Sequence, residues 1–147
     1  FRTRYPRIHR WSGWLYLITI LGLSLPSGLI LAFSAAGGLS TQISFVLLSS
    51  LWAITTLSAL YFLLKKRWIL HRDWMIRSFA LSLSALSLRT WKIVLYQLQP
   101  YFDWLTPIHI YQLESWLGWV VNLILAEIII FGLYRRTRKK NKSPKLI

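Results

Sequence analysis

The chain is 147 residues long, 55% hydrophobic and strongly basic, with a formal net charge of +14 and a mean hydropathy of +0.46. A disordered basic tail would lack its nine Trp, seven Tyr and seven Phe, and one soluble domain of this size could not bury so much apolar surface. Without Cys there is no disulfide, iron–sulfur ligation or thiolate chemistry, and three His with four carboxylates leave little material for a metal site.

In chain order, Arg2, Arg4, Arg7 and Arg10 precede a first apolar stretch, Trp11 to Phe33. Within it Ser24, Gly28 and Ala32 form a small-residue row suited to close helix contact. Pro26 removes a backbone donor, so a bend is expected there, with Ser24 or Ser27 covering the freed carbonyl. Gly37-Gly38 marks a turn into the second stretch, Ile43 to Leu64. Lys65, Lys66, Arg67 and Arg72 then introduce the third, Trp74 to Leu98, and Pro100 and Pro107 punctuate the connection after it. The fourth, Ser115 to Tyr134, carries a second small row at Gly118, Asn122 and Ala126. Arg135, Arg136, Arg138, Lys139, Lys140, Lys142 and Lys145 follow.

Each stretch is long enough to cross a hydrocarbon core of roughly 30 Å as a helix, and none shows the alternation of a barrel strand. The expected fold is all-α: an integral membrane four-helix bundle over residues 1–136, with a mobile basic tail over 137–147. The three basic clusters hold 15 of the 18 Lys and Arg, whereas the connections Ser34 to Gln42 and Gln99 to Glu114 hold none. Basicity so distributed reads as topology rather than nucleic-acid binding. It puts the N-terminus, the middle loop and the C-terminal tail on the cytoplasmic side, as in a bacterial inner membrane or its equivalent. The expected partners are membrane lipids and other membrane proteins.

Charges inside the spans are costly and therefore informative. Arg77 lies three residues beyond Trp74, and Glu127 seven before Tyr134, about 5 and 10 Å deep at helical rise. Antiparallel packing of the third and fourth stretches would let them clasp, within a polar cluster of Arg77, Glu127, Asn122 and Arg89. By level, the partners of Arg89 are Asn122, His109 and Glu114. Arg89 is also placed to neutralise a substrate or cofactor anion, while Lys92 is expected to snorkel outward.

His9-Arg10-Trp11 and His71-Arg72-Asp73-Trp74 stand at corresponding helix starts. Neutral imidazoles at one level can ligate a b-type haem, so His9, His71 and Arg89 form a cofactor alternative beside ordinary interfacial anchoring. There is no Gly-rich phosphate loop, HExxH, nucleophile elbow or paired carboxylate on one face, so no catalytic residue is assigned. The favoured function is a small non-catalytic membrane subunit packing against other membrane proteins. A haem- or quinone-linked redox protein is the first alternative, and a small transporter with Arg77 and Glu127 in a proton path is the second.

The runs His9-Arg10-Trp11-Ser12-Gly13, His71-Arg72-Asp73-Trp74-Met75-Ile76-Arg77-Ser78-Phe79-Ala80-Leu81, Arg89, and Trp116 to Glu127 resemble the membrane-protein family called domain of unknown function 2306. The resemblance covers almost the whole chain. It implies a multi-spanning membrane protein, with a further hydrophobic segment upstream of the first His-Arg pair. On that expectation the chain is a fragment, and an upstream helix could contribute ligands.

Overall fold

A computed structural model describes residues 4–142, and their regular structure is entirely helical. The first apolar stretch forms α1 (Pro6–Ile18) and α2 (Leu25–Phe33), joined without a break by a wide π turn over Thr19–Ser24. The cause lies two residues further on. Pro26 has no N–H for the carbonyl four residues back, and just before it the ladder widens so that Leu25 N–H reaches the Ile20 carbonyl. Ser27 Oγ donates to the Leu23 carbonyl at 2.7 Å and lies 3.2 Å from that of Ser24; neither is the Gly22 carbonyl that Pro26 leaves without its donor, so the expected serine cover is not made.

After the Gly37-Gly38 turn, where both glycines take positive φ, α3 (Leu39–Leu64) runs back antiparallel to α2. Their contact is close: a Cβ on Gly28 would sit 3.1 Å from Ser49 Oγ. A short turn through Lys66, at φ 56°, leads into α4 (Trp68–Ser82), which packs on α3.

The third stretch is not the single helix expected over Trp74 to Leu98. It begins earlier, at Trp68, and divides at Leu83 into α4 and α5 (Ser84–Leu98). Ser82 Oγ donates to the Phe79 carbonyl at 2.7 Å, and Leu83 N–H approaches that same carbonyl at a longer 3.3 Å. A serine hydroxyl competing with the backbone in this way bends a helix. Leu86 N–H then takes a tighter bond to the Leu83 carbonyl.

A short 3₁₀ turn, Gln99–Tyr101, and a loop lead into α6 (Pro107–Lys142), which packs along α3, α4 and α5. Leu95, Leu105 and Ile110 close a small apolar core beneath that loop. Gly118 lets α5 approach, since a Cβ there would lie 2.6 Å from Leu88 Cγ. The helix of α6 continues through Lys142, into the segment expected as a mobile tail, while Arg2, Lys145 and the rest of that tail lie outside the described residues.

Among the described residues three helical runs are long and apolar enough to cross a membrane: Pro6–Phe33, Leu39–Leu64 and Pro107–Arg135. The run from Trp68 to Leu98 does not join them, because Arg72, Asp73, Arg77, Arg89 and Lys92 dilute its apolar content and Leu83 interrupts it. The fold is nevertheless that of an all-α membrane protein, with large side chains such as Leu23, Ile30, Ile54, Ile124 and Phe131 exposed around its flanks.

Candidate functional site

The antiparallel arrangement brings the start of α1, the α3–α4 turn and the end of α6 to one end, here called the basic end. Near it, Asp73 is 3% exposed and both of its carboxylate oxygens have partners. Arg72 donates to Oδ1 from Nε at 2.9 Å and from Nη2 at 2.7 Å, and the Tyr134 hydroxyl donates to Oδ2 at 2.7 Å. Sequence reasoning placed no partner on Asp73. The available signal was an acid one position from Arg72, at the level where the fourth stretch ends in Tyr134.

One turn further along α4, Arg77 holds Glu127 with two parallel bonds, Nε to Oε1 at 2.5 Å and Nη2 to Oε2 at 3.0 Å. This fork geometry is the strong form of an arginine–carboxylate pair. The guanidinium also lies 4.8 Å from the Trp74 ring centroid, so the indole covers part of it. The pair is not sealed: the Arg77 side chain is 23% exposed and that of Glu127 52%. The carboxylate therefore sits on a flank of α6, among the exposed Ile124, Ile128 and Phe131.

A second polar layer has Ser78 as its hub, with its hydroxyl 2.8 Å from Tyr16 Oη and 2.7 Å from Thr56 Oγ1. It ties α1, α3 and α4 together, and the sequence singled out neither Tyr16 nor Thr56 for it. Asn122 takes Ser87 and the Ala80 carbonyl as partners instead of Arg89. Towards the other end Ser44 donates to the Ser115 carbonyl and accepts from Trp119 Nε1, and Gln112 reaches the Gly37 carbonyl.

Arg89 is exposed on α5 and makes no ion pair among the described residues; its expected partners are engaged otherwise or out of reach. His109 is bound locally to Thr106 Oγ1 and the Trp104 carbonyl. Glu114 is buried, and its Oε2 has no hydrogen-bond partner among the described residues. Lys92 is exposed, and no ion pair joins it to Glu114. The polar cluster expected around four residues is thus two separate pairs, Arg77 with Glu127 and Asn122 with Ser87, with Arg89 apart.

His71 lies partly buried at the start of α4, its Nδ1 2.7 Å from the Ala59 carbonyl, whereas the His9 side chain is exposed on α1. Among the described residues no three His, Asp or Glu side chains converge as a metal site would need.

Apolar flanks around internally paired charges are the signature of a chain solvated by lipid, and comparison with known families agrees. The family described as "Predicted membrane protein (DUF2306)" matches residues 1–130. The chain belongs to that family. No curated protein and no solved structure matches it. The membership carries the membrane-protein class and no reaction.

Proposed function

We propose that the chain is a non-catalytic membrane subunit whose α6 flank packs against another membrane protein, with both termini on the cytoplasmic side. The observation that supports this is the half-exposed Glu127 carboxylate in the apolar part of α6. An ionised carboxylate offers about four acceptor positions, and Arg77 occupies two of them. Lipid tails supply no donor for the others, whereas a neighbouring helix can.

In this reading α4 and α5 together make a fourth, broken span. From Asp73 beside Tyr134 to Leu95 beside Ile110 they accompany α6 over about 36 Å at helical rise, the depth of a hydrocarbon core. Residues 1–136 then make up the membrane domain, and the basic clusters, all at one end, orient that end inward.

The test is site-specific photo-cross-linking in native membranes from Ile124 and Phe131, with exposed Leu57 on α3 as the control. The expected result is one protein adduct of fixed mass from both α6 positions, lost in Glu127→Ala and absent from Leu57. Lipid adducts alone at all three positions refute the subunit reading.

One contact favours the haem alternative at His71. With Nδ1–H donated to the Ala59 carbonyl, Nε2 carries the lone pair, the orientation seen in ligating histidines. A Soret band in the purified protein, removed by His71→Ala and by His9→Ala, would establish it.

A further inference from the structure

The Arg77–Glu127 pair leaves donors and acceptors unused at one place. A guanidinium carries five N–H groups; Arg77 gives one from Nε and one from Nη2 to Glu127, and makes no other hydrogen bond among the described residues. Glu127 keeps about two acceptor positions free, and both side chains reach the surface of the fold. Ile124, Ile128 and Phe131 lie three residues before, one after and four after Glu127, so they share its side of α6, and each is more than half exposed.

These apolar side chains alone choose no partner, because lipid tails solvate them as well as a second helix does. The polar pair does choose. Its complement needs acceptors for the spare N–H groups of Arg77, donors for the free lone pairs of Glu127, and no net charge, all at one depth. Another Arg77–Glu127 pair meets each condition. Copies of one chain insert with the same orientation, so about a twofold axis along the membrane normal both pairs lie at the same level by symmetry. Arg77 of each copy then faces Glu127 of the other, as residue i meets j and j meets i in an isologous interface. Arg135, one turn beyond Phe131, stands at the end of the apolar run, where water and salt screen its charge from its counterpart.

We infer that the α6 flank is a homodimer interface, in which two copies of the chain pack their Ile124, Ile128 and Phe131 faces together and join their Arg77–Glu127 pairs into one neutral network of four side chains. This rests on the subunit reading and names the partner on that flank as a second copy.

The chain has no Cys, so in the purified protein a single introduced thiol can form a disulfide only with its own counterpart. Full chains carrying Ile124→Cys, Ile128→Cys or, on α3, the control Leu57→Cys are reconstituted in phosphatidylcholine vesicles and oxidised with copper phenanthroline. Association is measured separately by energy transfer between chains labelled at Asp103→Cys as lipid is added. Disulfide dimers from Ile124 and Ile128 but not from Leu57 are expected, with energy transfer that falls on dilution along a monomer–dimer curve. Glu127→Ala should weaken the dimer about threefold to tenfold, and the exchanged pair, Arg77→Glu with Glu127→Arg, should restore most of it. Ile128→Trp adds bulk at an exposed position, should weaken the dimer about tenfold with the fold unchanged, and decides the matter if the charge variants fail to fold. Equal cross-linking from Leu57, energy transfer no greater than random proximity gives, or a dimer untouched by Ile128→Trp overturns the inference. In native membranes, photo-adducts from Ile124 and Phe131 with the mass of two chains support both readings. A different fixed mass overturns the homodimer and leaves the subunit reading standing, and lipid adducts alone overturn both.

Discussion

Replacing Gly118 by Ala places a methyl carbon 2.6 Å from Leu88 Cγ and 2.9 Å from its Cδ2, where apolar carbons normally stand about 3.5 to 4.0 Å apart. Rotating Leu88 relieves part of this overlap, but its backbone nitrogen lies 3.3 Å from the same point, so α5 itself must retreat from α6. Overpacking of this kind costs about 1–3 kcal/mol, and exchanging Gly for Ala inside a helix returns up to about 1 kcal/mol. A net loss of about 1–2 kcal/mol is therefore expected, measured by SDS titration of the micellar protein followed by circular dichroism. In a Leu88→Ala background the two nearest atoms are gone, and the same substitution should cost less than about 0.5 kcal/mol. Gly22→Ala and Gly132→Ala, which meet no neighbouring atom within 4 Å, should be neutral or mildly stabilising. If Gly118→Ala is neutral in both backgrounds, or matches Gly22→Ala, the close α5–α6 approach is wrong.

The Arg77–Glu127 pair should show a coupling of about 0.6–1.7 kcal/mol in a double-mutant cycle. Glu127→Ala alone should lose about 1–2 kcal/mol rather than the 3–5 of a fully buried pair, because the carboxylate is half exposed. Tyr134→Phe removes a donor to the buried Asp73 Oδ2 and should destabilise by about 1–2 kcal/mol in the same titration; a change below about 0.3 kcal/mol would mean that the bond contributes nothing. Cysteine substituted at Gly38 and Asp103 should react with impermeant maleimide from outside, and at Arg67 only after the membrane is opened; the reverse pattern would invert the proposed orientation.

Hydropathy and charge determined the class of this protein and roughly where its apolar runs lie, because both depend on how many residues lie between clusters, whereas the helices begin four to eight residues before the expected starts. Depth in a membrane is likewise a one-dimensional quantity, at about 1.5 Å per helical residue. That Arg77 and Glu127 lie within an arginine's reach of each other in depth is therefore legible without coordinates, as is the disturbance that Pro26 imposes.

Azimuth is not legible in this way. Which face a residue presents depends on packing and on every interruption before it, and each residue added by a wide turn shifts the phase by about 100°. The π turn before Pro26 and the break at Leu83 both alter that phase, which is how Ser24 and Ser82 come to line one open groove with Trp52. The exposure of Glu127, the binding of Asp73 by Tyr134, and the pairing of Asn122 with Ser87 rather than Arg89 were likewise decided by tertiary structure alone. Residues at one depth meet only when their helices turn the right faces to each other, and a close contact such as Gly118 against Leu88 sets that rotation between two chain segments that sequence order leaves independent.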